Sequence, residues 1–333
     1  MGSKQRGTII MQPSLIDVYG RKMNYLRISV TDRCNLRCKY CMPVDMEFYE
    51  NSELLSFEEM LRVAIIVAKQ GVDNFRVTGG EPLVRRGCTD FIKELKKIEG
   101  VRRVSLTSNG VLVGKFIGDL VEAKLDSLNI SLDTLDRKNF ERITHSDSFD
   151  VVWASIMKSV EAGLDVKINV VVMKGVNDHE LLDLARLAYD YPVKVRFIEL
   201  MPTGLAKQFD KVPTDDILAI LGEVYPNLER DSNTYGAGPA AYYKDDVMKG
   251  RIGFISPMTH NFCSTCGRLR LSVKGELLLC LHHSDYVDLR EPLRNGCSDE
   301  DILGLIEKGV YRKPSGHNLE ENTALEHFSR IGG

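Results

Sequence analysis

A chain of 333 residues is too long for one small core; it fits one large α/β domain with an extension, or two domains. Its 44 Lys plus Arg against 47 Asp plus Glu leave a net charge of −3, so no global field draws it to nucleic acid or to an anionic membrane, and an anionic substrate needs cations gathered locally. No apolar run approaches the roughly 20 residues of a membrane span and MGSKQRGTII lacks the apolar core of a secretory leader; a reducing, cytoplasmic setting is expected, where disulfides do not explain eight cysteines.

Residues 25–30 (YLRISV) alternate and predict a strand that runs into a cysteine-rich loop. A helix is predicted over 57–71, closed by Gly71, then a strand over 74–80 stopped by two glycines, an amphipathic helix over 90–100, and a strand and turn over 103–110. A helix over 114–124, a strand over 126–133, a helix over 149–163 capped by Ser148 or Asp150, a buried strand over 166–173, a helix over 179–191 and a strand over 193–201 follow. Six strand–helix alternations imply parallel strands with right-handed crossovers, too few for an eight-fold barrel but enough for an open partial barrel or a doubly wound sheet. In either fold the functional residues are expected at the C-terminal strand ends. Cys34, Gly79, Gly80, Glu81, Asn109, Ser131, Asp133 and Met201 all fall there. Beyond Met201 the pattern changes: one helix over 213–224, a turn-rich stretch over 231–246, and short antiparallel strands within 251–256 and 269–280 around a second cysteine group.

Six cysteines form two groups. Cys34, Cys38 and Cys41 are spaced C-x3-C-x2-C; Cys263, Cys266 and Cys280 are spaced C-x2-C-x13-C. Each group is one ligand short of a closed tetrahedral zinc site. For the first, a thioredoxin-like pair at Cys38 and Cys41 leaves Cys34 unexplained, whereas an iron–sulfur cluster with one open iron accounts for three. For the second, a zinc ribbon completed by His282 or His283 competes with a second open cluster. Arg268 and Arg270, flanking Leu269 directly after Cys266 and Gly267, share one side of an extended segment and suit a polyphosphate; two exposed arginines on an edge strand are the bland alternative. Cys88 and Cys297 read as ordinary thiols, and His145, His179, His260, His317 and His327 as isolated.

The C-x3-C-x-aromatic-C loop with Tyr40, followed by GGEPL at 79–83, resembles the radical S-adenosylmethionine (SAM) enzymes. In that family the open iron is chelated by SAM, which would supply the missing fourth ligand. The glycines of the GGE element would let the backbone approach the methionine amine. The ordered set ISVTDRCNLRCKYCMP, RVTGGEPLVRR, LTSNG, NISLDTLD, NVVVMKGVND, VRFIELMP, FCSTCGRLRLS and a terminal GG, from about residue 14 to 333, further resembles the GTP 3′,8-cyclase family of molybdenum cofactor biosynthesis.

The resemblance implies an incomplete (β/α)6 barrel like that of triosephosphate isomerase (residues 14–205) and a C-terminal α+β extension with a second cluster (residues 206–333). It implies two [4Fe–4S] clusters, on Cys34, Cys38 and Cys41 and on Cys263, Cys266 and Cys280. Tyr40, Gly80, Ser131 and Met201 would line SAM. Arg27, Arg76, Thr107, Lys167, Arg268, Leu269 and Arg270 would line GTP. Gly332 and Gly333 would reach toward the site. A 5′-deoxyadenosyl radical would take the 3′ hydrogen of GTP, and C3′ would then bond to guanine C8. Implied partners are an electron donor such as a flavodoxin or ferredoxin, a downstream cyclic pyranopterin monophosphate synthase and a second copy of the chain; neither nucleic acid nor membrane is expected. Gly267 departs from the family pattern and is expected to loosen the turn before Arg268. Without the resemblance, Lys167 reads equally as an outward lysine at a strand start. The rivals are another two-cluster radical SAM enzyme, such as a peptide-modifying maturase, and a zinc-stabilised binding protein.

Overall fold

The computed structural model describes residues 15–317; the terminal Gly332 and Gly333, and His327, lie outside that range. Strands β1 (Tyr25–Ser29), β2 (Asn74–Thr78), β3 (Arg103–Ser108), β4 (Ser127–Ser131), β5 (Val166–Val172) and β6 (Lys194–Glu199) lie side by side in chain order, all parallel. The helices are α1 (Phe57–Ala68), α2 (Cys88–Lys97), α3 (Val113–Glu122), α4 (Arg137–Thr144), α5 (Phe149–Glu161) and α6 (Leu181–Asp190). The six alternations are those the sequence predicts, with one addition. Between β4 and β5 the chain makes two helices, because Asp136 caps α4 by accepting the Asn139 N–H at 2.7 Å. At α5, Ser148 holds the cap position without a side-chain hydrogen bond.

The C-terminal part contributes α7 (Thr214–Val224), β7 (Glu229–Asp231), β8 (Ala241–Lys244), β9 (Arg251–Ile255), β10 (Arg268–Leu271), β11 (Glu276–Leu278), β12 (Tyr286–Asp288), α8 (Arg290–Arg294) and α9 (Asp299–Tyr311). The expected antiparallel strands around the second cysteines are only half of what forms. β9 pairs parallel with β6 and β10 pairs parallel with β1; each then takes an antiparallel partner, β8 and β11. The sheet order is β12-β11-β10-β1-β2-β3-β4-β5-β6-β9-β8-β7, so the parallel array grows to eight strands and its two ends stay open. The stretch 256–267 crosses from β9 at one side of that array to β10 at the other.

The two faces of the sheet differ. Leu26, Ile28, Phe75, Leu106, Ile168 and Leu269 point to the helix-covered side and are fully buried, each worth about 1.5–3 kcal/mol of transfer free energy. The alternate positions carry Arg27, Arg76, Ser105, Asn129, Lys167 and Arg196. Were the sheet flat, β2 and β6, four strands apart, would be about 19 Å apart. Yet Tyr25 of β1 and Lys167 of β5, also four strands apart, line one small hollow together with Arg76 and Ser127, so the sheet is rolled with its polar face inside. The C-terminal helices close back on the start: Arg62 of α1 meets Asp299 at 2.8 Å, and Arg294 meets Glu59 at 2.9 Å.

Gly250 sets the approach of β9 to β6. Its N–H donates to Ala188 O at 2.7 Å, and a Cβ there would lie 1.8 Å from the Val193 carbonyl oxygen. Gly250→Ala is expected to destabilise the fold by about 3 kcal/mol or more, read as a lowered denaturant midpoint at unchanged slope.

Candidate active site

The first cysteine loop leaves the C-terminal end of β1 and is held by main-chain bonds. Gly80 N–H donates to Thr31 O at 2.7 Å and Glu81 N–H to Arg33 O at 2.8 Å. A Cβ on Gly79 would sit 2.6 Å from Thr31 O, and one on Gly80 2.4 Å from Arg33 O. The glycine pair therefore serves close approach to the cysteine loop itself, where the sequence suggested approach to a ligand. On the far side, Arg37 and Lys39 N–H groups donate to the last carbonyls of α4, Thr144 and Ile143, at 3.0 Å.

Two buried carboxylates brace the loop. Glu81 accepts from Leu83 N–H (3.1 Å), Ser108 Oγ (3.0 Å) and Asn109 N–H (2.7 Å), and burial raises its pKa to about 7. Asn109 Nδ2 in turn reaches Cys34 Sγ at 3.6 Å. Asp133 accepts the Tyr40 O–H at 2.7 Å and the Val171 N–H at 2.8 Å, and burial raises it to about 6. Burial, then mutual repulsion and Asp133, push the Cys38 and Cys41 thiols up, Cys41 to about 12. Three thiolates so placed need a cationic group between them. Among the described residues no three His, Cys, Asp or Glu side chains gather at one point for a single ion. A cubane binds each thiolate at a different iron, so it needs no such convergence. The loop fits a cluster that leaves one iron open.

The second triad lies at the opposite end of the strands. Cys266 precedes Arg268, which pairs with Tyr25 at the start of β1, and Cys280 follows β11, antiparallel to β10. The rule of C-terminal strand ends thus covers the first triad only. Arg268 Nη2 approaches Cys266 Sγ at 3.3 Å. Burial works to raise Cys266, but Arg268 and Lys313 outweigh it and the net shift is downward. Arg21, paired with Asp17 at 2.5 Å, donates to the carbonyls of Cys263 and Ser315 at 2.9 Å and of Pro314 at 2.6 Å. Gly267 packs tightly, contrary to expectation. A Cβ there would meet Lys22 O at 2.2 Å, and its own carbonyl accepts from Asn24 and Tyr25 N–H. His283 Nε2 lies 3.2 Å from Gly316 O, and His282 is buried against His317, ring centroids 5.3 Å apart, so His317 is not isolated. Neither histidine completes a gathered single-ion site among the described residues.

Between the triads lies the cationic inner face. Arg270, Arg27 and Arg76 stand abreast on β10, β1 and β2. Burial, then Arg270, holds Arg27 well below its usual pKa, and burial with Arg268 lowers Arg270 to about 10. A polyanion would relieve that mutual repulsion. Thr107, Asn129 and Lys167 form a second row, and Thr107 Oγ1 is buried with no partner among the described residues. Lys167 is inward and 2% exposed. It donates to the Tyr235 carbonyl and sits 3.3 Å from Asp165, which excludes the outward reading. The stretch 231–246 packs Tyr235 and Gly236 over the N-terminal strand ends, against Lys167 and Arg103. Ser131 and half-buried Met201 lie near the C-terminal ends of β4 and β6. Leu269 is turned away into the core, so only its main chain borders the interior.

Sequence reading missed Arg196, whose guanidinium donates to Asn129 (2.6 Å) and Asn169 (2.9 Å), and Tyr25, set among Arg76, Arg27, Arg268 and Arg270. The alternation of KVRFIE and YLRIS was the available signal. A surface hollow of about 560 Å³ near Asp136, Lys138, Glu180 and Asp183 holds none of the expected site residues.

Residues 28–188 match the Radical SAM superfamily, and residues 193–319 match Molybdenum Cofactor Synthesis C. In fold the chain is similar to Streptococcus suis SuiB bound to S-adenosylmethionine, with a TM-score of 0.61 at 17% identity over 86% of this chain and 69% of that one. The rolled parallel sheet and its cysteine loop define a radical SAM protein. The GTP 3′,8-cyclase of Clostridium perfringens (strain SM101 / Type A) is 44% identical over 321 residues, 95% of this chain and 99% of that protein. That of Heliobacterium modesticaldum is 44% identical over 327 residues, 96% of this chain and 100% of its own length. The chain belongs to the GTP 3′,8-cyclase family.

Gly80→Ala would drive the Arg33 carbonyl and the loop behind it outward. The variant is expected to reconstitute with about half the iron of the parent, the SAM-responsive spectroscopic signal being the one lost.

Proposed function

We propose that this chain is a radical SAM lyase that cyclises GTP to 3′,8-cyclo-7,8-dihydro-GTP, the first step of molybdenum cofactor biosynthesis. The observation that carries the reading is the set of inward-facing cations, Lys167 buried and the arginines half-buried, on the inner face between two open cysteine triads. Cys34, Cys38 and Cys41 would hold one [4Fe–4S] cluster, and Cys263, Cys266 and Cys280 the other. When bound, the first cluster and SAM supply the 5′-deoxyadenosyl radical that takes the 3′ hydrogen of GTP before C3′ bonds to C8. The chain's own work is binding, orientation and exclusion of water. Arg27, Arg76, Lys167, Arg268 and Arg270 offer five positive charges to a nucleotide with about four negative ones. Thr107 offers an unpaired hydroxyl, and the main chain at Leu269 borders the same space. Tyr40, Gly80, Ser131 and Met201 would border SAM at the other end. Gly332 and Gly333 remain candidates from the sequence alone.

We read residues 14–205 as the half that cleaves SAM and 206–333 as the half that holds the nucleotide, with strands of both joined in one sheet. A flavodoxin or ferredoxin would supply the electron, and a cyclic pyranopterin monophosphate synthase would take the product. No helix among the described residues is long and apolar enough to cross a membrane. The maturase rival has only the fold in its favour, whereas near-full-length identity lies with the cyclases.

The test is anaerobic turnover of reconstituted protein with SAM, dithionite and GTP deuterated at C3′. Deuterium in the 5′-deoxyadenosine supports the reading; unlabelled 5′-deoxyadenosine would remove C3′ as the target.

Lys167 gives a pH signature. Burial lowers its pKa to about 7; Asp165 opposes that, while Arg196, Arg76 and Lys194 add to it. An anionic ligand beside it raises the bound pKa, so binding takes up a proton. The contribution is complete below about 7 and is lost as pH rises toward the bound value. GTP affinity is expected to weaken by up to about tenfold per pH unit in that window. Calorimetry in two buffers of different ionisation enthalpy should show the uptake, and Lys167→Met should abolish it.

A further inference from the structure

The second triad has a buried cation with no carboxylate in ion-pair contact among the described residues. Lys313 follows α9, is 3% exposed, and its ammonium donates to two main-chain carbonyls, Arg268 O at 2.9 Å and Leu279 O at closer range. Arg268 lies two residues after Cys266, and Leu279 lies one residue before Cys280. One side chain therefore ties together the two chain segments, just before β10 and just after β11, that carry two of the three cysteines. Arg21, the other buried cation here, has Asp17 beside it. Lys167, across the sheet, has Asp165. Lys313 has no carboxylate in ion-pair contact among the described residues. The anions that support its charge are the Cys266 and Cys280 sulfurs, while Arg21 and Arg268 oppose it.

A buried ammonium held only by carbonyl dipoles is strongly disfavoured unless a counter-charge is near. A [4Fe–4S] cluster on three thiolates supplies one, with a net charge of roughly −1 when oxidised and −2 when reduced. We propose that Lys313 is the charge-compensating and positioning residue of the second cluster, fixing the spacing of Cys266 and Cys280 and favouring the reduced state. The inference rests on reading Cys263, Cys266 and Cys280 as cluster ligands. It assigns Lys313 no contact with the nucleotide.

The test uses the full chain, reconstituted without oxygen, as Lys313→Met, Lys313→Gln and Lys313→Arg. Gln keeps a donor for the carbonyls without the charge; Arg keeps the charge. Two readouts are taken: iron and sulfide per chain during exposure to a chelator, and a redox titration followed by electron paramagnetic resonance. Signals that respond to added SAM report the first cluster, and those that do not report the second. Met and Gln are expected to shift the SAM-insensitive midpoint to more negative potential and to release that iron several-fold faster. The SAM-responsive midpoint should stay in place, and Arg should resemble the parent. Unchanged midpoints and iron release in both Met and Gln would overturn the proposal, as would an equal shift in Arg. A parent protein with only a SAM-responsive signal, and no iron lost on Cys263→Ala, would instead remove the reading on which it rests.

Discussion

The structure depends on a parallel sheet that is apolar on one face and charged on the other. Parallel strands covered on both faces ordinarily read as continuous apolar runs, and a closed eight-fold barrel fills its interior with branched side chains. Here YLRIS, NFRVT, SLNIS, KVRFIE and RLRL all alternate. Helices cover the face of Leu26, Phe75 and Leu269, and the roll encloses Arg27, Arg76, Lys167 and Arg196. A chamber lined in this way gains no hydrophobic free energy from its contents. It persists because the outer layer supplies the stability, and its arginines hold positions that an anion would relieve.

The triads sit in opposite electrostatic surroundings. Carboxylates brace the first: Asp133 through Tyr40, and Glu81 through Asn109. Cations surround the second: Arg268 at the Cys266 sulfur, Arg21 at the Cys263 carbonyl, and Lys313 between the strands. The first loop is anchored to main chain that only glycine at 79 and 80 allows so near, and the second to main chain that only glycine at 267 allows. Both loops therefore have backbones fixed by contact, not by side-chain packing alone.

Much of this was legible in the sequence. The strands of the first half, the cysteine spacings and the shared side of Arg268 and Arg270 follow from period and composition. Helix α4 escaped because RKNFERIT buries only Phe140 and Ile143 among its apolar residues, too few to set a period. The parallel pairing of β9 and β10 escaped because register with β6 and β1 is a tertiary choice that short alternating strands do not reveal. Arg196 and Lys313 share one cause. A lone charged residue reads as solvated until the fold shows that it is buried, and only the pairing of distant strands shows that.

That pairing also explains why the C-terminal part is not a detachable module. β10 hydrogen-bonds to β1 in register, so Arg268 lies beside Tyr25 and Arg270 beside Arg27. Cys266 enters at the N-terminal end of this strand pair, and Cys34 leaves at the C-terminal end. The four steps from Tyr25 to Ser29 alone separate the two ends by about 13 Å. A flexible linker would leave that separation to vary; a shared ladder fixes it together with the arginines in between. A polyanion anchored midway by those arginines would thus be held at a distance from each end that the backbone sets. Chemistry that needs near-contact between reacting atoms gains from such fixation, because the ordering entropy is already spent when the protein folds.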